Sequence, residues 1–283
     1  MAYLRLTALT SLTMVAFAGN SLLCRAALKH TAIDAASFTT IRLVSGAVML
    51  WLVVRTHRGT QNGKGSGNWP SAVALFVYAA GFSFAYMSLP ASTGALLLFG
   101  AVQATMIGHG LWVGERLRGL QVAGIVMALA GLVGLLWPGL SAPPLPGSLL
   151  MLSAGTAWGV YSLRGKGGGD PTRVTAGNFL RAVPITAALS LLMLGGASLD
   201  RAGVLYAVAS GAVASGIGYA IWYTALPALS ATSAATLQLS VPVIAAMGGV
   251  VFLGESATLR LVLASAAILG GIALVIRKQP NTK

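Results

Sequence analysis

Ten apolar segments, each of about bilayer-crossing length, occupy almost the whole of this 283-residue chain. Only 8% of the residues are charged, against about 25% in soluble globular domains. Helices suit the bilayer interior because they satisfy their own backbone hydrogen bonds. The sequence therefore predicts an all-α integral membrane protein with ten transmembrane helices. The predicted helices cover 6–23, 35–54, 71–88, 91–113, 119–137, 146–163, 175–195, 202–225, 230–253 and 258–276.

The last five segments repeat the first five. Gly81 to Ala91 reads GFSFAYMSLPA and Gly218 to Ala228 reads GYAIWYTALPA, with five identities in eleven positions. A Gly-Glu pair follows in each copy, at Gly114-Glu115 and at Gly254-Glu255. We therefore expect two five-helix domains, 6–137 and 146–276. Because each holds an odd number of crossings, the second enters the membrane inverted, a construction typical of secondary transporters.

The distribution of Lys and Arg predicts the orientation. With the N-terminus in the cytoplasm, twelve of these residues fall in cytoplasmic segments and four on the opposite side. The positive-inside rule then places both termini in the cytoplasm of a multi-pass inner-membrane protein. The net charge of +13 is explained by contact with anionic membrane lipid, so we expect no nucleic-acid partner.

These features resemble the EamA family of the drug/metabolite transporter superfamily. The resemblance rests on the two repeats, on the Gly-Glu pair before each Gly-rich last helix, and on Arg42 and Arg181 early in the second helix of each repeat. Pro242 matches a proline common midway along the fourth helix, where the first repeat has Val102. Aromatic residues on helices 3, 6 and 8 make the chain similar to YddG-type aromatic amino-acid exporters. The resemblance implies export of amino acids and related small metabolites by alternating access, with no cofactor.

Polar and aromatic side chains in mid-helix are the candidates for substrate binding. Amides can hold the zwitterionic head of an amino acid without burying a charge, and flat rings form stacking walls. The alternatives are interhelical hydrogen bonds for the polar residues and an interfacial belt for the aromatic ones. The predicted binding residues are Asn20, Tyr78, Phe82, Gln103, Trp158, Tyr161, Tyr219 and Gln238.

Three charged or titratable residues inside helices leave their roles open. His109 suits a proton relay, but we favour a polar residue paired at a helix interface. For Arg42 and Arg181 we favour snorkelling or a carbonyl partner, with attraction of a substrate carboxylate as the second interpretation.

Other functions fit the sequence less well. A nucleotide-sugar carrier of the same superfamily would need cationic residues facing the cavity, and only Arg42 and Arg181 are available. A membrane-embedded enzyme, from a different class, would need a metal cluster or a nucleophile with a base near the midplane, and the sequence offers neither. Whether the glycine-rich helices 5 and 10 pack within a monomer or between the subunits of a homodimer stays open.

Overall fold

The computed structural model describes residues 2–56, 66–114, 119–139, 142–165, 170–225, 228–229 and 237–276, and these residues form helices and short connections without a strand. The helices are α1 Ala2–His30, α2 Ala35–Thr56, α3 Trp69–Tyr86, α4 Ala91–Trp112, α5 Gly119–Leu136, α6 Leu145–Arg164, α7 Pro171–Leu192, α8 Arg201–Ala225, α9 Ser240–Leu253 and α10 Leu259–Ile276.

Seven of these helices are long and apolar enough to cross a membrane, namely α1 to α5, α7 and α8. α9 and the Leu259–Val275 part of α10 are shorter apolar helices. Many large apolar side chains of the helices lie on the outside of the bundle, among them Val126, Val251 and Leu263. An apolar exterior on helices of this length is the surface of a multi-pass membrane protein.

Two boundaries differ from the sequence prediction because helical hydrogen bonding continues past the apolar run. α1 extends to His30 instead of ending at 23, so Arg25 and Lys29 lie on the helix and not in a loop. α7 begins at Pro171 instead of 175. There the Asp170 carboxylate caps the helix by accepting from the backbone N–H groups of Thr172 and Arg173.

The helices pack in a small number of recurring pairs. α5 lies along α10, α2 along α7, and α4 against α9. α3 packs against α6 and α8 against α1, while α4 packs against α6 and α9 against α1. α2 also contacts α8, and α3 contacts α7.

The α5–α10 contact is made inside one chain, through two glycines. A Cβ added at Gly271 would lie 2.4 Å from the Gly124 carbonyl oxygen, and one at Gly124 would lie 2.6 Å from the Gly271 carbonyl oxygen. Small residues let two backbones approach this closely, as in other membrane helix pairs. Gly124 and Gly271 thus allow a close intrachain contact between α5 and α10.

Two helices depart from regular α geometry near the centre of the bundle. The middle of α8, Ala209–Ile217, is a π-helix, a variant that is frequent at functional sites. α9 starts only at Ser240, after a turn at Leu239. Pro242 is the third residue of α9 and has no N–H to donate to the carbonyl of Gln238, which agrees with the predicted interruption of helix 9.

Candidate functional site

A cavity of about 20 Å³ lies where α1, α3, α4, α6 and α8 meet. Its volume is close to that of a single water site, so this conformation is closed around its centre. The wall combines rings with a few polar groups. The lining side chains are Phe17, Asn20, Ser21, Tyr78, Phe82, Leu98, Phe99, Trp158 and Tyr219.

A chain of buried hydrogen bonds runs along one side of this cavity. The Ser210 hydroxyl, on the π-helical part of α8, lies 2.5 Å from Asn20 Oδ1. Asn20 Nδ2 donates to the Tyr78 hydroxyl oxygen over 3.2 Å, and Arg42 Nη2 donates to the same oxygen over 2.9 Å. The Tyr78 oxygen on α3 therefore accepts two donors, one from α1 and one from α2. α8 joins the same chain of hydrogen bonds through Asn20.

Trp158 is the centre of the aromatic wall. Its ring centroid lies 4.8 Å from that of Tyr78 and 5.1 Å from that of Tyr219. On another side it stacks on Tyr161, at 5.4 Å and an interplanar angle of 26°. These distances fall in the range of favourable aromatic pairs, so the wall is held rigid by α3, α6 and α8 together.

Arg42 is a buried cation that has no anionic partner among the described residues. Its side chain lies in the bundle, with the residue 1% exposed, and its guanidinium carbon is 4.7 Å from the Phe82 ring centroid and 5.1 Å from that of Tyr78. Nε and Nη1 are buried and have no hydrogen-bond partner. The predicted snorkelling is therefore wrong for Arg42, because the side chain points among the aromatic residues and away from the membrane surface.

The described acids do not neutralise this charge. Within the described ranges, the ion pairs within 4 Å are Arg25 with Glu255 and Arg173 with Asp170. Contact with ring faces offsets part of the cost of burying a cation, but an uncompensated charge in a bundle interior stays unfavourable. The immediate surroundings of the cavity therefore carry one positive charge.

Comparison with known proteins places this bundle in a family. A sequence profile described as the EamA-like transporter family matches residues 145–277. An uncharacterised protein of Pseudomonas aeruginosa is 59% identical over 95% of this chain and 93% of its own length. The chain belongs to the EamA-like transporter family.

This chain is also similar to an exporter and to a solved structure. The threonine/homoserine exporter RhtA of Salmonella typhimurium is 35% identical over 170 residues, 56% of each chain. A solved crystal structure, 22% identical, superposes with a TM-score of 0.64 and covers 95% of this chain and 96% of the other, which shows the shared fold. An EamA-like chain is a membrane transporter and not an enzyme, so the membrane-embedded enzyme alternative is excluded.

Five of the predicted binding residues meet at the cavity of this EamA-like transporter: Asn20, Tyr78, Phe82, Trp158 and Tyr219. Tyr161 supports the wall from behind through its stacking on Trp158. The sequence prediction missed Phe17, Leu98 and Phe99, while Ser21 was a polar mid-helix candidate for which an interhelical hydrogen bond was favoured. Phe17 lies three residues before Asn20 and four before Ser21, and this spacing, which places Phe17 on the same helix face as both, was the available signal.

Gln103 and Gln238, also predicted binding residues, are not among the described residues that line this cavity. Gln103 is buried but lies one turn beyond Phe99 on α4, and its Nε2 atom has no hydrogen-bond partner. Gln238 is half-buried and precedes the turn that starts α9. Residues 237 and 238 are helical, and the part of the predicted helix 230–253 before them lies outside the described residues.

His109 and Arg181 also differ from the cavity residues. His109 is exposed on α4, so the predicted pairing at a helix interface is wrong. Arg181 Nη1 donates to the carbonyl oxygens of Ser66 and Gly177, which is the carbonyl partnership predicted from the sequence. Arg42 and Arg181, which lie in the second helix of each repeat, are therefore not equivalent. Of the two, only Arg42 lacks a described partner for most of its N–H groups.

One end of the bundle is closed by a cluster that we call the Glu255 clamp, formed by Arg25, Tyr86, Met87, Ala91 and Glu255. Arg25 Nε donates to Glu255 Oε1 over 3.3 Å, and Arg25 Nη1 donates to the carbonyl oxygens of Tyr86 and Met87. The carboxylate also accepts from the backbone N–H of Ala91, at the N-terminus of α4, where an anion is favoured. The clamp joins α1, α4 and the residues after α9.

Asp34 forms a second contact at this end, just before α2. Its carboxylate accepts from the backbone N–H groups of Ala36, Ser37 and Ser198. Partial burial alone would raise the pKa of Asp34, but these hydrogen bonds outweigh burial and lower the pKa below its usual value. The ionised carboxylate thus links the start of α2 to the segment before α8.

The opposite end carries a cluster that we call the Asn178 cluster, formed by Asn68, Ser71, Tyr161, Arg164 and Asn178. Asn178 Oδ1 accepts from the Asn68 backbone N–H over 2.9 Å, and its Nδ2 donates to the Tyr161 hydroxyl. Arg164 Nε donates to the Ser71 hydroxyl. Two of these hydrogen bonds join uncharged groups and one is donated by the charged Arg164. Together they join the N-terminus of α3 to α6 and α7.

Proposed function

We propose that this EamA-like transporter exports amino acids and related small metabolites across the inner membrane by alternating access. The observation that carries the proposal is the closed cavity with its aromatic and polar wall. Its lining comes from α1, α3 and α4 on one side and α6 and α8 on the other. The Glu255 clamp at one end and the Asn178 cluster at the other each join residues of 6–137 to residues of 146–276. Opening one cluster while the other stays closed would expose the cavity to each side in turn.

The helix contacts support two five-helix halves, 6–137 and 146–276, that make ten crossings with inverted topology. In a two-fold arrangement, replacing each helix by its counterpart in the other half, α1 by α6, α2 by α7 and so on, turns one contact into another. The contact α3–α6 becomes α8–α1, α4–α6 becomes α9–α1, and α2–α8 becomes α7–α3. The pairs α2–α7, α4–α9 and α5–α10 turn into themselves. A two-fold relation between the halves would generate this pattern, and a two-fold axis in the membrane plane is common in transporters.

Both termini are placed in the cytoplasm by the charge asymmetry of twelve to four. The Glu255 clamp then lies at the extracytoplasmic end and the Asn178 cluster at the cytoplasmic end. Reporter fusions after Lys283 test this orientation. We expect activity from a fluorescent protein that folds in the cytoplasm and none from a phosphatase that needs export; the reverse result would contradict it.

Amino acids are supported as substrates by the wall chemistry and by the similarity to a threonine/homoserine exporter. The Tyr78 hydroxyl, the Asn20 amide and Ser21 offer donors and acceptors to a zwitterion. Trp158 and Tyr219 offer ring faces to apolar or aromatic side chains. Tolerance of both small and aromatic amino acids follows if the site widens from its closed volume.

A carrier of larger organic anions is the second candidate, because Arg42 places a cation beside the cavity. Among the described residues, Arg42 is the one basic residue that is buried. A nucleotide sugar carries two phosphate groups, which one guanidinium would neutralise only in part. The amino-acid proposal is therefore preferred.

The test is counterflow in proteoliposomes containing the full chain and preloaded with unlabelled substrate. Labelled L-threonine, L-homoserine, L-phenylalanine and a nucleotide sugar are supplied outside, with protein-free vesicles as background. We expect accumulation of at least one amino acid and none of the nucleotide sugar. Accumulation of the nucleotide sugar alone would overturn the proposal.

A matched pair of variants tests whether the cavity is the path. Phe17→Trp overfills the closed cavity from α1, whereas Leu12→Trp adds the same side chain to an exposed position on the same helix. We expect counterflow to be lost in Phe17→Trp and kept in Leu12→Trp. Equal activity of the two folded variants would show that substrate does not pass this cavity.

A further inference from the structure

The unpartnered guanidinium of Arg42 is the feature of the bundle that needs an explanation beyond packing. Its hydrogen bond to the Tyr78 hydroxyl uses Nη2, while Nε and Nη1 are buried without a partner. At least three N–H groups are therefore unsatisfied, since Nε carries one and Nη1 carries two. Buried N–H groups and buried charges are seldom left unmatched in a folded protein.

The other arginines in comparable positions are matched. Arg25 contacts the Glu255 carboxylate and two carbonyl oxygens. Arg181, the counterpart of Arg42 in the repeat, donates to the carbonyls of Ser66 and Gly177. Arg42 alone of these three touches only a neutral hydroxyl and two ring faces.

The position of Arg42 suits it to meet a molecule in the cavity. Both rings that its guanidinium contacts, Tyr78 and Phe82, also line the cavity. Within the described ranges no carboxylate lies within ion-pair distance of it. A carboxylate that enters the cavity would supply the missing anion after a rotation of Tyr78 and would satisfy several N–H groups at once.

We propose that Arg42 is the carboxylate-binding residue of the transport site, and this assignment deepens the proposed amino-acid export. The substrate carboxylate replaces the Tyr78 hydroxyl on the guanidinium. The freed Tyr78 hydroxyl and Asn20 Oδ1 then accept from the substrate ammonium group, while Trp158 and Tyr219 face the rest of the molecule.

This arrangement makes the carboxylate the decisive group for recognition. The cavity wall carries one positive charge, so a zwitterion or a monocarboxylate is accepted and an amine that lacks the carboxylate is rejected by like charge. Amidation of the carboxyl group, which changes few atoms, should therefore abolish most of the binding.

The experiment compares carboxylates with their amides on the purified full chain in detergent. The probes are L-phenylalanine against L-phenylalaninamide, and 3-phenylpropionate against 3-phenylpropionamide, with apparent Kd taken from ligand-induced thermal shifts. We expect each carboxylate to bind at least about tenfold more tightly than its amide, as for charge-assisted pairs. Equal binding of carboxylate and amide would overturn the assignment. This ratio of apparent Kd values is measured on the native chain and does not depend on a substituted variant.

Variants then locate the selectivity. Arg42→Gln should lose the preference for carboxylates, Arg42→Lys should keep a reduced preference, and Arg181→Gln should keep it in full because Arg181 is already paired. A preference unchanged in folded Arg42→Gln, or lost in Arg181→Gln instead, would overturn the assignment.

The outcome also separates this inference from the proposed function. If amino acids accumulate in counterflow but carboxylate and amide bind equally, export stands and the role of Arg42 fails. If 3-phenylpropionate binds through Arg42 while no amino acid accumulates, the anion site stands and amino-acid export fails.

Discussion

The carboxylate of Glu255 accepts from the backbone N–H of Ala91 with both oxygens, at 2.8 Å and 3.0 Å. Ala91 is the first residue of α4, and Glu255 lies in the connection between α9 and α10. Glu255 is the acid of the second Gly-Glu pair, and Ala91 ends the first copy of the repeated sequence. The end of the repeated sequence in the first half thus contacts the Gly-Glu pair of the second half at one end of the bundle.

Glu255→Gln should destabilise the chain strongly. The amide keeps one acceptor for Ala91 but leaves Arg25 without its carboxylate in a nearly buried position. Removing one partner of a buried pair costs about 3–5 kcal/mol, and we expect a lower value, about 2 kcal/mol, since Arg25 keeps its carbonyl contacts. Thermal unfolding in detergent measures it. The control Asp170→Asn affects a more exposed ion pair and should change Tm little; equal shifts would contradict a special role for the clamp.

Trp158→Ala should lower apparent affinity most for aromatic substrates. Trp158 contacts three other rings, and an aromatic pair contributes about 0.5–1.5 kcal/mol beyond area burial. The ratio of KM for L-phenylalanine to KM for L-threonine should therefore rise several-fold. Trp112→Ala is the control, because Trp112 is 90% exposed at the end of α4. The same loss for both amino acids would show that Trp158 supports the fold and does not face the substrate.

The sequence predicted the helices and the aromatic half of the site because both depend on local pattern. Tyr78 and Phe82 are four residues apart, so they share a face of any helix in which they lie. Trp158 and Tyr219 each lie near the middle of an apolar run, and mid-depth residues of neighbouring helices meet at the centre. Asn20 was found for the same reason, as a costly polar residue at mid-depth.

Arg42, Gln103 and Gln238 could not be assigned from the sequence because their roles depend on neighbours. Only the structure reveals that Arg42 turns inward toward α3, where it finds the Phe82 and Tyr78 rings. The depth of Gln238 was inferred from the length of an apolar run, whereas in the structure a turn at Leu239 separates it from Ser240–Leu253. Gln103 lies one helical turn from the wall, a displacement smaller than the uncertainty of a sequence-based boundary.

His109→Gln should leave substrate movement down a gradient almost unchanged. The side chain is exposed near the end of α4 and lies outside the cavity wall. Glutamine preserves hydrogen bonding but does not titrate, so the variant removes any proton exchange at this position. Counterflow should stay within about twofold of the native rate, as expected for a surface substitution. Loss of exchange by a folded variant would place His109 on the transport path.

Gly211→Ala should be damaging, because α2 and α8 touch backbone to backbone at this glycine. An added Cβ would lie 2.1 Å from the Arg42 carbonyl oxygen and 2.1 Å from the Ser45 hydroxyl oxygen. Relief of this overlap requires α8 to move away from α2, which disturbs Arg42 and the neighbouring Ser210 contact to Asn20. Overpacking of this kind costs about 1–3 kcal/mol.

Gly19→Ala on α1 is the matched control, since a Cβ there meets nothing within 4 Å. Alanine also favours a helix by about 1 kcal/mol over glycine, so this variant should unfold at the native temperature or above it. Gly211→Ala should unfold at a lower temperature and lose the carboxylate preference along with counterflow. If both variants unfold together with the native chain, the close approach of α2 and α8 does not determine the geometry around Arg42.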